Sequence, residues 1–116
     1  MNRTSRFFLA LVTTATLGGC VTQPQTLYYW DGYQQQVYQR FDNTSGTEEQ
    51  IAALEASLQK ARAADRALPP GFHAHLGMLY ADIGRADQVR QQFETEKTLF
   101  PESAPYMDFL MRKFEK

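Results

Sequence analysis

An all-α fold, built from helical hairpins and closed by a C-terminal capping helix, is predicted by three observations on the sequence. Apolar residues recur every three or four positions in several segments, as they do on one face of an α-helix. Turn-forming and capping residues separate those segments. One segment in the C-terminal half also has the spacing of a known helix–turn–helix repeat.

That segment matches the tetratricopeptide (TPR) pattern, so the predicted bundle is TPR-like. The matching residues are His73, Leu76, Gly77, Tyr80, Val89, Phe93 and Pro101. His73 replaces the usual Trp, and Val89 replaces the usual Ala. Glu96 stands where a third small residue normally packs, which predicts looser or differently angled packing. Gly77 is expected to let the two helices approach closely, and Gly84 to form the turn between them.

Two helices are predicted upstream of the repeat. The first lies within Tyr28–Phe41 and could start after Gly32. Its Tyr and Val residues would suit a strand, but Gln34–Gln36 lacks the alternation that a strand needs. The second covers about 48–67 and follows a capping-box signature, Thr47–Gln50. Because a single repeat cannot bury both of its faces, we interpret this pair as a degenerate repeat.

The repeat itself predicts a third helix at about 72–83 and a fourth at about 86–100. A fifth helix is expected from residue 103 or 104 onward, where Tyr106 and Phe109 broaden an apolar stripe. The stripe itself consists of Met107, Leu110, Met111 and Phe114. This last helix would cap the apolar face that the repeat leaves open.

The first twenty residues are typical of a bacterial lipoprotein signal peptide. Arg3 and Arg6 precede an apolar run of about 11 residues, and a membrane-crossing helix needs roughly 20. The run ends in Leu17–Cys20, which resembles a lipobox, and Cys20 is the only cysteine in the chain. We expect cleavage before Cys20, its acylation, and anchoring in the cell envelope. Because Val21 is not Asp, resemblance to sorted Gram-negative lipoproteins implies the inner leaflet of the outer membrane, facing the periplasm.

The predicted organisation is a signal peptide at 1–19, the acylated cysteine with a tether at 20–26, and one TPR-like helical domain at 27–116. A tether of six flexible residues spans about 13 Å, so the domain would stay close to the membrane. Removal of Arg3 and Arg6 from the 12 basic residues leaves 10, against 13 acidic ones. This charge offers no basic patch, so nucleic acid is not expected as a partner.

No combination of side chains predicts an enzyme. His73 and His75 are two residues apart, so they would point to different faces of a helix, and no nearby Cys, Asp or Glu completes a metal site. Nucleophile elbows, Walker loops and dinucleotide fingerprints are not found. We expect no catalytic residue, no metal and no cofactor besides the covalent lipid on Cys20. His73 is expected to pack at the Trp position of the repeat, and His75 to lie on the surface.

An aromatic cluster, Tyr28, Tyr29, Trp30 and Tyr33, directly follows the tether. Three interpretations stay open from the sequence. The rings could cover the open end of the helical stack, they could anchor a partner protein, or they could contact lipid headgroups.

Several short blocks, spread over essentially the whole mature chain, occur in the same order in a known group of proteins. They are Leu27–Tyr33, Val37–Tyr38, Leu68–Gly71, Leu76–Gly77, Phe93–Lys97, Phe100–Ala104 and Met107–Asp108. Through these blocks the chain resembles the domain of unknown function 4810 family of small bacterial lipoproteins. The family has no established activity, and its members look like companions of curli-channel-like lipoproteins and of another small lipoprotein.

The resemblance and the anchor together lead us to expect a non-enzymatic accessory or protein-binding subunit of an envelope assembly. Its partners would be the membrane, through the N-terminal acyl chains, and another envelope lipoprotein. The alternative is a peptidoglycan- or glycan-binding lipoprotein in which Tyr28, Tyr29, Trp30 and Tyr33 stack on sugars.

Overall fold

The computed structural model describes residues 24–114, which form five α-helices and one short 3₁₀ helix. The elements are α1 (Tyr33–Asp42), α2 (Thr47–Ala63), α3 (Phe72–Asp82), α4 (Ala86–Leu99), the 3₁₀ helix (Pro101–Ser103) and α5 (Ala104–Phe114). No strand occurs within this described part of the chain, so the all-α prediction is confirmed. The predicted signal peptide and Cys20 lie outside the described residues, as does most of the tether.

Consecutive helices pack against each other and alternate in direction, and the most extensive contact joins α3 and α4. Tyr33 at the start of α1 lies beside Phe72 at the start of α3, with ring centroids 5.4 Å apart. Arg40 near the end of α1 forms an ion pair with Asp82 at the end of α3. The bundle therefore has two ends. One, which we call the strap end after the non-helical segment 26–32 that crosses it, is where α3 begins and α4 ends. The other, the turn end, is where Gly84 joins these two helices.

The hydrophobic core lies mainly between α2, α3 and α4, and α5 closes it. Its buried residues are Ile51, Leu54, Ala61, Leu68, Phe72, Leu76, Leu79, Tyr80, Val89, Phe93, Met107 and Leu110. Most of these positions follow the helical spacing of apolar residues in the sequence. Burial of this face against neighbouring helices is what stabilises short helices that would be marginal alone.

Close packing of α3 on α4 depends on Gly77. A Cβ atom added at this position would lie 2.5 Å from Cε1 of Phe93, a distance at which something must shift. The turn that follows α3 depends on Gly84, which has φ +73°. Around Gly84 the N–H of Arg85 donates to the carbonyl of Tyr80 (2.9 Å), as in a Schellman motif. The predicted roles of Gly77 and Gly84 are confirmed, whereas the TPR assignment stays a prediction.

The predicted end of α2 is wrong, because the helix stops at Ala63 and not near Ala67. Asp65 adopts a left-handed conformation with φ 51°. The N–H of Arg66 then donates to the carbonyl of Ala61 (2.9 Å), which completes a second Schellman motif. Leu68 is still buried, but it reaches the core from the α2–α3 loop.

The predicted capping box at the start of α2 is also wrong. Gly46 is the N-cap, in an extended conformation, and Thr47 is already helical, so its hydroxyl is not placed to cap the first turn. The side-chain amide of Gln50 instead donates to the carbonyl oxygen of Ser45 at 3.0 Å. The helix therefore begins one residue earlier than the signature indicated.

Three aromatic residues are exposed, and two of them, Tyr106 and Phe109, were predicted to broaden an apolar stripe. Phe41 is 81% exposed, and Tyr106 and Phe109 are more than half exposed. Within the described residues no other helix covers the outer side of α1 or of α5, so these rings face outward. On α1 the buried residue is Gln36, which the apolar pattern did not indicate.

Candidate functional site

Three members of the aromatic cluster, Tyr28, Tyr29 and Trp30, lie on a non-helical segment, residues 26–32, which we call the strap, and Tyr33 is the first residue of α1. The strap crosses the end of α2 and the α2–α3 loop before α1 begins. The N–H of Tyr29 donates to the carbonyl of Ala67 at 2.7 Å. The hydroxyl of Ser57 donates to the carbonyl of Asp31 at 2.9 Å. Gly32, with φ +75°, then turns the chain into α1.

Arg66 fastens the strap from the loop. Its guanidinium donates to the carbonyl oxygens of Thr26 and Tyr28, the latter at 3.1 Å. The same group lies 5.8 Å from the ring centroid of Tyr29, as a cation–π contact. Arg66 therefore joins three successive parts of the strap to the α2–α3 loop.

The four predicted rings do not share one environment. Tyr29 and Tyr33 pack against the core, whereas Trp30 is 39% exposed. The Tyr28 and Trp30 rings meet edge to face, 6.4 Å apart, and Tyr28 also contacts Phe100 at the end of α4. The cluster is thus partly core and partly surface, and Trp30 is its exposed member.

Beneath the strap, Glu96 of α4 caps the start of α3. Glu96 is only 2% exposed. Its Oε1 accepts the N–H of Gly71 at 2.6 Å, and its Oε2 accepts that of Ala74 at 3.3 Å. The first N–H groups of a helix have no intrahelical acceptor and carry a partial positive charge, so a buried carboxylate fits there. Glu96, which was predicted to loosen the helix pair, therefore bonds the two helices together.

Tyr33 lies next to this capped terminus. Burial, and secondarily the Glu96 carboxylate, raise the pKa of the Tyr33 hydroxyl. An ordinary tyrosine hydroxyl already has a pKa of about 10, so a raised pKa keeps Tyr33 neutral throughout the physiological range. Tyr33 therefore acts as a packing group between α1 and α3, and it is not an acid or base near neutral pH.

The two histidines occupy opposite sides of α3, and both are buried. Nδ1 of His73 lies 2.7 Å from Oε1 of Gln92 on α4. His75 faces α1, with its ring 6.1 Å from that of Tyr33, so the expectation that it lies on the surface is wrong. Burial, and secondarily the Arg40 cation, lower the pKa of His75 to about 4. Among residues 24–114 no three His, Cys, Asp or Glu side chains converge as metal ligands would.

An apolar groove of about 230 Å³ lies at the turn end of the bundle, between the α3–α4 turn and the end of α5. It is lined by Ala81, Ala86, Val89, Met111 and Phe114, with Arg90 beside them. The stretch of α4 from Arg90 to Leu99, about 14 Å long, separates the groove from the strap end. The molecule thus has two distinct surfaces of interest, at opposite ends.

Sequence reasoning missed Arg66 and Glu96, the two polar residues that organise the strap end. Glu96 did give a signal, since it is a charged residue at a small-residue position of the repeat pattern. No feature of the sequence indicated the role of Arg66, because that role depends on where the strap crosses the α2–α3 loop. The helices that the structure describes include none with the length and apolarity to span a membrane.

A family model described as a domain of unknown function (DUF4810) matches residues 27–110. The match includes the strap, the capped start of α3 and most of α5. No curated protein and no solved structure matches the chain. The match covers well over half of the sequence, and the chain therefore belongs to the DUF4810 family.

Proposed function

We propose that this protein is a non-enzymatic accessory subunit of a bacterial envelope assembly, anchored by lipid on Cys20 in the outer membrane and facing the periplasm. In this proposal the turn-end groove binds another envelope protein. A curli-channel-like lipoprotein is a candidate partner, because members of the family look like companions of such proteins. The observation that carries the proposal is the apolar groove, which lies at the end of the bundle away from the strap.

The size of the groove favours a protein partner. Small-molecule and cofactor pockets usually measure about 300–1,000 Å³ and enclose most of their ligand. A half-open groove of about 230 Å³ is smaller and fits one or two apolar side chains. Anchor side chains in shallow apolar pockets, surrounded by a polar rim, are a common feature of protein interfaces. A neighbouring depression shares Arg90 and Met111 with the groove, and its other lining residues, Glu94, Asp108 and Arg112, supply charges of both signs.

The positions of the perturbed titratable groups are consistent with a non-enzymatic role. His75 lies between α1 and α3. The hydroxyl of Tyr80 donates to a carboxylate oxygen of Glu55, and burial together with this bond raises the pKa of Tyr80 to about 12. Neither residue lines the apolar groove. Catalytic sites typically bring such groups together in one cleft.

A second candidate is glycan binding at the strap, and the exposed face of Trp30 is the observation in its favour. However, Tyr29 and Tyr33 are packed against the core, so fewer rings are available for stacking than the sequence suggested. Sedimentation with purified peptidoglycan sacculi tests this candidate. Co-sedimentation that disappears in Trp30→Ala would favour glycan binding over the groove proposal.

Site-specific photo-cross-linking in intact cells tests the groove proposal. A photoreactive amino acid at Ala86, which lines the groove, should capture a specific envelope protein. The matched control is Ala52, an exposed alanine on α2 that does not line it. Equal labelling from both positions, or no specific product from Ala86, would argue against the proposed interface.

The anchor is tested separately with Cys20→Ser. We expect the wild-type chain to carry acyl groups on Cys20 and to fractionate with outer membranes. The Ser variant should lose both properties. A wild-type chain that keeps residues 1–19, or that carries no lipid, would contradict the proposed anchoring.

A further inference from the structure

We propose that the strap end of the bundle rests on the lipid bilayer, with Leu27 and Trp30 in the interfacial region between headgroups and acyl chains. This inference rests on the proposed acylation of Cys20. It adds which face of the domain meets the membrane, and it therefore gives the domain a fixed orientation.

The short tether between Cys20 and the strap places the strap end of the molecule nearest the bilayer. Only residues 21–26 separate Cys20 from Leu27. Even a fully extended chain would place Leu27 no more than about 25 Å from the lipid-bearing residue. A flexible tether of this length has an r.m.s. span of about 13 Å. The turn end lies a further 21 Å or so along α4, so the tether keeps the strap end nearest the bilayer.

The exposed side chains of the strap suit a lipid surface. Leu27 is 81% exposed, and Trp30 is 39% exposed beside the half-buried Tyr28. Tryptophan and tyrosine are enriched at membrane–water interfaces, because each ring has an apolar body and a polar group. The charges nearby include both signs, since Lys60 lies 3.5 Å from Asp31 in an ion pair. Apolar contact, and not attraction to anionic lipid, is therefore the expected driving force.

Two apolar side chains alone give an affinity of about millimolar strength, which is too weak to bind a free protein to vesicles. A short flexible tether, however, presents its cargo at an effective concentration in the millimolar range. At that concentration a millimolar contact is occupied about half of the time or more. The strap can thus dock when the chain is anchored and not when it is free.

Two exposed aromatic residues, Phe41 and Phe114, lie away from the strap end. Phe41 is in the last turn of α1, next to the Arg40–Asp82 pair, so it lies toward the turn end. Phe114 is also at the turn end, where it lines the groove. Docking through the strap would turn this groove away from the membrane, toward proteins in the periplasm.

Trp30 is the only tryptophan in the chain, so its fluorescence reports directly on the strap. The full chain is expressed with its own signal peptide, purified from membranes and reconstituted in vesicles of ordinary or brominated phosphatidylcholine. Because an indole at headgroup level lies close to brominated acyl chains, we expect about twofold quenching and a shift of the emission to shorter wavelength. Leu27→Ser should reduce the quenching, because it removes one of the two apolar side chains that dock on the bilayer. Since Leu27 is exposed, this substitution should leave the fold intact.

The matched control moves the indole to the other end of the molecule. A double variant, Trp30→Phe with Phe114→Trp, should be quenched much less, because its indole is at the turn end. Equal quenching of both proteins would overturn the proposed orientation. Acylated protein whose Trp30 emission is the same in both kinds of vesicle would also overturn it.

Mass spectrometry of the same sample separates failure of this inference from failure of the proposed anchoring. If Cys20 carries no acyl group, the anchoring is refuted and the docking falls with it. If Cys20 is acylated and Trp30 is not quenched, only the docking is refuted. If soluble peptidoglycan fragments, and not lipid, change the Trp30 emission, the strap binds glycan and the docking is again refuted.

Discussion

The carboxylate of Glu96 accepts the backbone N–H of Gly71 at 2.6 Å, so α4 provides the cap for α3. Gly71 is the N-cap residue of α3 and has φ +89°, and no side chain of its own segment caps that helix. This hydrogen bond therefore joins α3 and α4, the two helices with the most extensive contact in the bundle, at the strap end.

Replacement of Glu96 should be costly. Glu96→Ala leaves two partly buried N–H groups without their charged acceptor, and we expect the free energy of unfolding to fall by about 3 kcal/mol. Glu96→Gln keeps one neutral acceptor and should cost about 1 kcal/mol. Urea unfolding followed by circular dichroism measures both. The control is Glu94→Ala on the same helix, where Glu94 is exposed and should matter by less than about 0.5 kcal/mol. Equal effects of Glu96→Ala and Glu94→Ala would show that the cap is unimportant.

The helix positions could be predicted because apolar spacing reflects the one-sided burial of each helix. The roles of Gly77 and Gly84 could also be predicted, because the close approach of two helices favours glycine at position 77 and a left-handed turn favours it at position 84. The cap by Glu96 could not be deduced in the same way. It depends on the start of α3 lying beside the end of α4, which is a tertiary relationship and not a local one.

The predictions from the sequence that proved wrong have related causes. Asp65 takes a left-handed conformation that aspartate adopts only in some contexts, so the end of α2 gave no clear signal. His75 and Gln36 are polar residues buried where α1 meets α3. Their burial follows from the way the two helices pack, which residue type alone does not indicate. Part of the aromatic cluster became core for the same reason.

A methyl group at Gly77 should separate α3 from α4. Because its Cβ would lie 2.5 Å from Phe93, which is fully buried, we expect Gly77→Ala to lower the free energy of unfolding by about 1–3 kcal/mol. Gly46→Ala is the control, since no atom lies within 4 Å of an added Cβ there. Its φ of −66° is also open to alanine. If both variants unfold at the same urea concentration as wild type, the close approach does not limit this site.

Two members of the aromatic cluster should differ in their contribution to stability. Tyr33 packs between Phe72 and His75, so Tyr33→Ala should lower the free energy of unfolding by about 2–3 kcal/mol. Trp30 is more exposed, and Trp30→Ala should cost about 1 kcal/mol. Thermal or urea unfolding of the two variants checks the order. A Trp30→Ala chain that fails to fold would assign Trp30 to the core and not to a surface.

The buried imidazole of His75 should make stability depend on pH. Its pKa is about 4 in the folded chain and 6.5 in the unfolded chain, so the unfolded chain binds more protons between these values. The free energy of unfolding should therefore be highest above pH 6.5 and should fall as the pH decreases toward 4. Because solvent partly screens the ring, we expect a loss of about 1 kcal/mol between pH 7.5 and pH 5.

His75→Gln isolates this contribution. The variant removes only the imidazole of His75 and keeps every other ionisable side chain, so the difference between the two proteins reports on His75. Urea unfolding at pH 7.5 and pH 5 should show a smaller loss of stability in the variant, by about 1 kcal/mol. NMR titration of the folded wild type should also show one imidazole that stays neutral at pH 5. If the pH dependence is the same in both proteins, His75 is more accessible to water than its contacts with α1 indicate.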